Sequence, residues 1–315
     1  MYIDGKTVET LLDMQSCIKL MRQTLEDLDA GRAEQVLRMA MPLPDGNVLG
    51  LMPAAIATKK VAGAKIISVF PGNFYQGLPS HQGVVLVFEM QTGKLQAVVD
   101  GETITAIRTA AVSAAASALL ARKNADTLGI IGAGLQARKH LEALKLVREI
   151  KKVFVWDIDI VSADRYAQEM SEKFGMHIQV CKTSQEAVEE ADIICTVTAA
   201  KEPIVYGAYI KEGAHINAVG ACLPKVRELD TDIVTKGRIY ADSMESFLNE
   251  AGDFLIPFAE GAVTKEIIAG ELGAAFNGKI EGRRNESEIT IFESLGLAVY
   301  DLAAADYVIK LVRAG

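Results

Sequence analysis

The sequence has 315 residues, of which 50% are hydrophobic and 23% charged, so it can bury large cores and long disordered stretches are not expected. A formal net charge of -8 and the scatter of the 33 lysines and arginines exclude a basic surface for nucleic acid. No apolar run approaches the ~18 uninterrupted residues of a membrane helix, and the four cysteines lack the spacing of a zinc site or of paired disulfides. We therefore expect a cytoplasmic, metal-free protein of two domains.

The first 120 residues combine helices and strands. Apolar residues recur at helical spacing from Val8 to about Ala30, which predicts an amphipathic helix, unbroken or broken once. Five apolar strands follow between residues 36 and 100, separated by Pro-Asp-Gly, Pro-Gly-Asn and Thr-Gly turns. From Thr103 to Leu120 the chain is rich in alanine and other small residues, which predicts a helix packed closely against its neighbours.

After Asn124, apolar strands alternate with amphipathic helices. The strands carry the sequences TLGIIGAG, KVFVWD, IQVC, DIICTVT, HINAVG and RIYAD. This alternation predicts an α/β fold, in which a doubly wound, Rossmann-type parallel sheet carries helices on both faces. The last segment, from Glu286, has the pattern of one long amphipathic helix.

The segment LGIIGAGLQA, which begins at Leu128, runs from a buried strand through GxGxxA into a helix. The first glycine permits the tight turn, the second lets the backbone approach a pyrophosphate, and the alanine lets the helix pack near the strand. Free N–H groups at the helix N-terminus then bind the phosphates. The predicted cofactor-binding residues of this turn are Gly132, Ala133, Gly134, Leu135, Gln136 and Ala137.

Asp157 ends the second strand, 25 residues after Gly132, near the position of the acid that binds the adenosine ribose. A carboxylate there accepts hydrogen bonds from both ribose hydroxyls and repels a 2'-phosphate. The next residues are Ile158 and Asp159, not arginine, so NAD(H) is favoured and NADP(H) remains open. Alternatively, Asp157 only begins the next helix.

Several blocks, including AGAKIISVFPGN, RTAAVSA, GAGLQA and NAVGACLPKVREL, resemble the ornithine cyclodeaminase and mu-crystallin family, in the same order from about Arg38 to Ala304. The resemblance implies a homodimer acting on a small amino or imino acid with NAD(P). It also implies that residues 1–120 and 291–315 form a substrate-binding and dimerisation domain around an NAD-binding Rossmann domain of residues 121–290. The final helix thus belongs to the first domain.

The resemblance also implies individual site residues. Arg38 and Arg108 match arginines that hold the substrate carboxylate, which a guanidinium can bind in a bidentate way. Lys65 matches the catalytic lysine, and burial among apolar residues can lower the pKa of an ammonium enough for acid–base chemistry. Without the resemblance, each arginine alone is more consistent with a surface or ion-paired role. Further matches lie near the cofactor phosphates and nicotinamide: Thr109, Asn217, Val219 and Gly220. His81 lies beside the matched residues, but a structural role is at least as consistent with the sequence as a catalytic one.

Two positions depart from the cyclodeaminases, which place two carboxylates in the pocket. This sequence has Gly50 and Cys222 there. Ring closure with loss of ammonia needs proton transfer at two nitrogens, whereas reduction of a formed imine needs one proton donor. We therefore expect an NAD(H)-dependent reductase of small α-imino acids. Two alternatives stay open: an ornithine cyclodeaminase in which Glu228 or Glu102 supplies the missing acid, and a non-catalytic dinucleotide-binding protein.

Overall fold

The computed structural model describes residues 1–314, apart from the side chains of Phe74 and Tyr75. The chain divides into two compact units. Met1–Thr109 and Gly296–Gly315 form the first unit, and Ala110–Leu295 form the second. The sequence places the limits near residues 120 and 290, so the first limit lies earlier in the structure. It falls inside a continuous helix, Gly101–Leu120, where no loop or change of composition marks it.

The first unit begins with a short strand and two helices: β1 Tyr2–Ile3, α1 Gly5–Leu11 and α2 Met14–Asp29. The predicted N-terminal helix is thus broken once, because Asp13 caps α2 by accepting a hydrogen bond from the Ser16 N–H at 2.9 Å. Six strands and a helix follow: β2 Ala33–Gln35, β3 Met39–Pro42, β4 Val48–Ile56, β5 Val61–Val69, β6 His81–Glu89, β7 Leu95–Asp100 and α3 Gly101–Leu120.

These strands form a seven-stranded sheet of order β1-β7-β6-β5-β4-β2, with β3 also paired to β4. All pairs are antiparallel except β1 with β7. Met52, Lys65 and Val85 lie opposite one another and are buried, so they share the covered face of the sheet. The other face is apolar and only half-buried, as at Leu51, Ala64, Ile66 and Leu86.

The second unit alternates strands and helices: β8 Thr127–Ile131, α4 Leu135–Leu144, β9 Lys152–Trp156, α5 Ile160–Phe174, β10 Ile178–Val180, α6 Ser184–Val188, β11 Ile193–Thr196, β12 His215–Ala218, α7 Thr231–Lys236, β13 Gly237–Ala241, α8 Met244–Glu250, α9 Gly252–Ala259, β14 Ile268–Glu271, α10 Leu272–Phe276 and β15 Ile289–Glu293. The sheet has eight parallel strands in the order β10-β9-β8-β11-β12-β15-β13-β14. The predicted α/β fold with a parallel sheet is confirmed, and the strand order reverses at β8, which leads into the glycine motif.

The prediction of one long helix after Glu286 is wrong for its first part. Ile289–Glu293 form β15, which lies inside the parallel sheet between β12 and β13. A short, fully buried apolar strand has no alternating pattern, so periodicity alone does not separate it from a buried helix. The helix begins later, as α11 Ala298–Ala314, and packs in the first unit on α2 and on strands β4, β5 and β6.

Helix α3 is long and apolar enough to pass a length and composition test for a membrane span. Within the protein, however, 78% of its apolar window is buried. A helix that is apolar on all sides and covered by other elements is a core helix. Polar side chains on such a helix need partners inside the protein, and those on α3 contribute to the site described next.

Candidate active site

Lys65 lies in the middle of β5, with 3% of its surface exposed. Its Nζ donates a hydrogen bond to Thr105 Oγ1 of α3 at 2.6 Å and another to Asp301 Oδ1 of α11 at 3.4 Å. Burial lowers the pKa of Lys65 to about 8, against the opposing effect of the Asp301 carboxylate. A lysine with a pKa near neutral can exchange a proton with a substrate at physiological pH.

Arg108, one turn after Thr105 on α3, is equally buried. Its Nε donates to Asp301 Oδ1 at 2.9 Å and its Nη2 donates to Asp301 Oδ2 at 3.4 Å. The guanidinium carbon lies 5.9 Å from the centre of the Tyr300 ring, within reach of a cation–π interaction. Asp301 therefore accepts hydrogen bonds along the edge of the guanidinium formed by Nε and Nη2. Within residues 1–314, no acceptor is hydrogen-bonded to Nη1.

Arg38 is half-buried in the segment between β2 and β3, and its charge also acts to lower the pKa of Lys65. The first unit thus places all three predicted cations, Arg38, Lys65 and Arg108, in one electrostatic neighbourhood. His81, at the start of β6, belongs to the same neighbourhood, because loss of water and the Lys65 charge lower its pKa. A substrate carboxylate would be attracted to this group of positive charges.

Gly50 lies on the same face of the sheet as Lys65, opposite Ile67. A Cβ at Gly50 would lie 3.0 Å from Ile67 Cγ2, so a larger side chain there would require Ile67 to move. The position of the first cyclodeaminase carboxylate is therefore filled by apolar packing in this chain. The alternative acid Glu102 is half-buried in the first turn of α3, where burial and Asp100 raise its pKa.

Sequence reasoning does not find Asp301, which contacts both Lys65 and Arg108 and is fully buried. The pairing joins residues 193 and 236 positions apart in the chain, so no local spacing reveals it. A weaker signal exists: Asp301 lies in the apolar run AVYDLAAA, and an acid on a buried helix face requires a cationic or hydrogen-bonding partner.

In the second unit, the glycine motif joins β8 to α4. Gly132 has φ +102°, which favours glycine, and its N–H donates to the Trp156 carbonyl at 2.8 Å. Gly134 is the N-cap of α4, and a Cβ there would meet no atom within 4 Å. Ala137, in the first turn of α4, is fully buried. Open space in front of an uncapped helix N-terminus fits a pyrophosphate.

Asp157 directly follows β9 and lies against the glycine motif. Its Oδ2 accepts a hydrogen bond from the Ala133 N–H at 2.7 Å, and its Oδ1 accepts one from the Asp159 N–H at 2.8 Å. Asp159, not Asp157, is the N-cap of α5. A carboxylate has about four acceptor positions, so each oxygen of Asp157 can also accept a ribose hydroxyl.

A cavity of about 320 Å³ lies beside the glycine motif and is lined by Ala133, Gly134, Leu135, Arg138, Ser162 and Arg165. Arg138 is held by Glu169, at 2.7 Å from Nε, and by the Ala133 carbonyl, at 2.6 Å from Nη1. Sequence reasoning misses Arg138 and Arg165 because each lies inside a helix, beyond the turn that carries the motif. Their guanidinium groups place positive charge where a nucleotide phosphate would be favoured.

Glu228 joins the loops that follow β11 and β12. It is fully buried; its Oε1 accepts from the N–H and Oγ1 of Thr198 at 2.8 and 2.6 Å, and its Oε2 accepts from the Gly220 N–H at 2.8 Å. A Cβ at Gly220 would lie 2.3 Å from the Thr198 carbonyl oxygen, so the two loops approach as closely as glycine allows. Because both Glu228 oxygens bind these loops, the acid is occupied and does not suit the cyclodeaminase alternative.

Asp253 lies beneath Glu228 and supports the same loop. Its Oδ1 accepts hydrogen bonds from the N–H groups of Glu228 and Leu229 at 2.8 and 2.7 Å, while its Oδ2 has no partner in the described part of the chain. Burial and the Glu228 charge raise the pKa of Asp253 to about 8. Burial and these neighbouring acids also raise the pKa of Glu293. Asp253 therefore retains its proton at neutral pH.

The remaining predicted cofactor contacts are placed as follows. Asn217 is fully buried and its Nδ2 donates to Ser117 Oγ at 3.0 Å, so its side chain points into the second unit. Val219 and Gly220 are half-buried in the loop after β12. Thr109 is buried at the end of the first unit. Their contacts with a cofactor stay predictions.

In the second unit, the first strand of a parallel sheet ends in a glycine turn, and the helix after that turn has no side-chain N-cap. These features place the unit among the dinucleotide-binding Rossmann proteins. The sequence of the whole chain identifies a narrower class. A sequence model of the ornithine cyclodeaminase/mu-crystallin family matches residues 2–315, and the chain belongs to that family. The resemblance found in the sequence blocks is thereby confirmed.

Individual relatives extend this result. The chain is similar to ketimine reductase mu-crystallin of Mus musculus, with 40% identity over 279 residues that cover 88% of this chain and 85% of the relative. It is also similar to Thermococcus litoralis Delta(1)-pyrroline-2-carboxylate reductase in complex with NADH and L-proline, with a TM-score of 0.97 and 37% identity, covering 100% of this chain and 98% of that one. An archaeal alanine dehydrogenase dimer with bound NAD gives a TM-score of 0.94 and 30% identity, covering 100% and 97%.

Proposed function

We propose that this chain is an NAD(H)-dependent oxidoreductase that reduces a small α-imino acid to the amino acid. Its substrate is a cyclic ketimine such as pyrroline-2-carboxylate, or the imine of a 2-oxo acid. The observation that carries the proposal is the buried Lys65, whose pKa of about 8 suits proton exchange and which lies beside Arg108. Similarity to a pyrroline-2-carboxylate reductase and to a ketimine reductase supports the same chemistry.

In this proposal, Arg108 and Arg38 bind the substrate carboxylate. Asp301 takes the Nε edge of Arg108, so the substrate carboxylate binds at Nη1 and Nη2, where a planar, two-point contact remains available. Two guanidinium groups on one carboxylate fix the orientation of the adjacent C=N bond. The substrate is therefore an acid with its imine carbon next to the carboxylate.

Lys65 serves as the proton donor. Its ammonium has three N–H groups, and within the described residues two of them donate to Thr105 and Asp301, which leaves one for the imine nitrogen or for a water molecule. NADH, when bound, supplies the hydride that the imine carbon accepts. Reduction of a formed imine then needs no second acid, in agreement with the apolar packing at Gly50.

The cofactor belongs to the second unit. The N–H groups at the start of α4 and the backbone of Gly132–Ala137 would hold the pyrophosphate, and Asp157 would accept the ribose hydroxyls. The loop that follows β12 and begins with Val219 and Gly220 would contact the nicotinamide end, with Glu228 holding it in place. NAD(H) is the proposed cofactor, and NADP(H) is tested beside it because Arg165 adds positive charge near the ribose position.

We also propose a cytoplasmic homodimer. The half-buried apolar face of the first sheet, with Ile66 and Leu86 at its centre, is the surface that a second copy of the chain would cover. The dimeric archaeal alanine dehydrogenase supports this assembly. Light scattering should give twice the chain mass, and Leu86→Arg should give monomers. A monomeric wild type would contradict the assignment.

The central experiment incubates the purified protein with a panel of cyclic and linear α-imino acids, using NADH and NADPH separately. We expect NADH oxidation with at least one cyclic ketimine and formation of the matching amino acid. Lys65→Ala should abolish turnover while the Kd for NADH stays unchanged. No oxidation with any imine would refute the proposal, and proline formation from ornithine with catalytic NAD would instead support the cyclodeaminase alternative.

A further inference from the structure

Two buried cations share one buried carboxylate in the first unit. Lys65 Nζ lies 3.4 Å and Arg108 Nε lies 2.9 Å from the same oxygen, Oδ1 of Asp301. The exposed fractions of the three side chains are 2%, 4% and 0%. We propose that Asp301 is a positioning residue that keeps Lys65 charged and orients Arg108 for the reaction. This inference rests on the proposed function.

The charge of Asp301 has no substitute in this neighbourhood. The other charged or titratable groups that act on Lys65 are cationic: Arg108 on α3 and Arg38 before β3. His81 on β6 also faces Lys65, and its pKa is lowered. Cys17 on α2, near Arg108, stays a neutral thiol because burial raises its pKa. Among these groups in the described chain, Asp301 alone carries negative charge, so its removal would leave the buried cations Lys65 and Arg108 without that opposing charge.

The effect on Lys65 has a definite direction. Burial already favours the neutral amine, and the Asp301 carboxylate opposes that tendency. Without the carboxylate, the ammonium would lose its proton at a lower pH. A neutral amine cannot protonate the imine, so the reaction would fail first at alkaline pH and would survive at acidic pH.

Asp301 also determines which edge of Arg108 meets the substrate. Hydrogen bonds from Nε and Nη2 hold the guanidinium plane, and the centre of the Tyr300 ring lies 5.9 Å from the guanidinium carbon. A guanidinium free to rotate would lose the fixed two-point contact with a carboxylate. Loss of this function should appear as a higher KM for the imino acid, separate from the pH effect.

The test compares pH profiles of kcat/KM for the best imine in wild type and Asp301→Asn, from pH 5.5 to pH 10. Asparagine keeps the shape and one of the two oxygens that accept from Arg108, but it replaces the other oxygen with an N–H donor and removes the charge. We expect the alkaline limb to move to lower pH by at least one unit, so that activity falls about fivefold or more at pH 8, about tenfold or more at pH 9 and less than threefold at pH 6. The Kd for NADH should stay unchanged.

The matched control is Asp306→Asn, on the same helix. Asp306 is also buried and binds Lys310 at 2.7 Å, outside the group around Lys65. This variant should keep the wild-type profile. Asp301→Glu restores a carboxylate at a shifted position, so it should keep the wild-type limb and raise KM. If Asp301→Asn does not fold, the alkaline limb of the Asp301→Glu profile tests the inference instead. A limb at the wild-type pH supports it, and a limb moved to lower pH refutes it.

An Asp301→Asn enzyme that loses activity by the same factor at every pH would overturn the inference, since a merely structural role has that signature. An unchanged profile would overturn it as well. If the wild type reduces no imine, the proposed function fails instead, and the charge of Lys65 can still be measured. In that case, an NMR titration of the Lys65 Nζ signal should show loss of its proton at lower pH in Asp301→Asn than in wild type.

Discussion

A single substitution at the glycine motif should change stability and cofactor binding in opposite directions. Gly134 is the N-cap of α4 with φ -80° and ψ -162°, a conformation that an aspartate adopts readily, and an added Cβ would meet no atom within 4 Å. An aspartate there would accept hydrogen bonds from the helix N–H groups and favour the helix dipole. We expect Gly134→Asp to be as stable as wild type or more stable, by up to about 1 kcal/mol.

The same carboxylate would occupy the proposed pyrophosphate position. At a separation of about 5 Å and an effective dielectric constant of about 20, one carboxylate and one phosphate charge repel by about 3 kcal/mol. Each 1.4 kcal/mol corresponds to about a tenfold change in affinity. The Kd for NADH should therefore rise about 100-fold or more.

The assay pairs thermal unfolding with an NADH fluorescence titration. Gly134→Asn keeps a capping side chain without the charge and should show the smaller loss of affinity. Gly72→Ala, at another open glycine position in the first unit, is the control for adding a Cβ and should bind NADH like wild type. A stable Gly134→Asp variant that binds NADH within twofold of wild type would show that the glycine motif does not hold the cofactor.

Three further results are expected. In wild type, kcat/KM for reduction should fall about tenfold per pH unit above the Lys65 pKa of about 8, because only the ammonium donates a proton. A kcat/KM that stays constant up to pH 10 would show that Lys65 is not the acid. Asp157→Ser combined with Ile158→Arg should shift preference towards NADPH, measured as the ratio of the two kcat/KM values, and an unchanged ratio would mean that β9 does not carry the ribose contact. Folding raises the pKa of Asp253 to about 8 from an unfolded value of 3.8, so stability is lost as pH rises between these values. At pH 9, Asp253→Asn should therefore be more stable than wild type by about 1 kcal/mol or more and should unfold at a higher temperature, whereas at pH 4 the two proteins should unfold at the same temperature. Equal differences at both pH values would contradict the last expectation.

The parts of the fold that follow from local sequence were predictable. Gly132, Gly134 and Ala137 have separate local tasks, and the alternation of buried strands with amphipathic helices required no long-range information. The break between α1 and α2 is also local, because Asp13 caps the second helix. The sequence therefore sufficed for the class of the second unit and for the position of its nucleotide motif.

The parts that depend on contacts between distant residues were not predictable in this way. Asp301 meets Arg108 across 193 positions, and only a buried acid in an apolar helix hints at it. Strand β15 looks like the start of α11 because a strand buried on both faces has no alternation. Arg165 lies within α5, and only the path of the two helices brings it to the glycine motif.

The place of β15 has a consequence for synthesis. The strands that flank it, β12 and β13, leave the ribosome long before Ile289–Glu293 do, so the nascent sheet has a gap with two unpaired edges in its interior. Until this strand inserts, backbone groups of buried residues are open to pairing with other chains. Slow translation before residue 289 should therefore increase aggregation, and a chaperone that covers strand edges should improve the yield of folded enzyme.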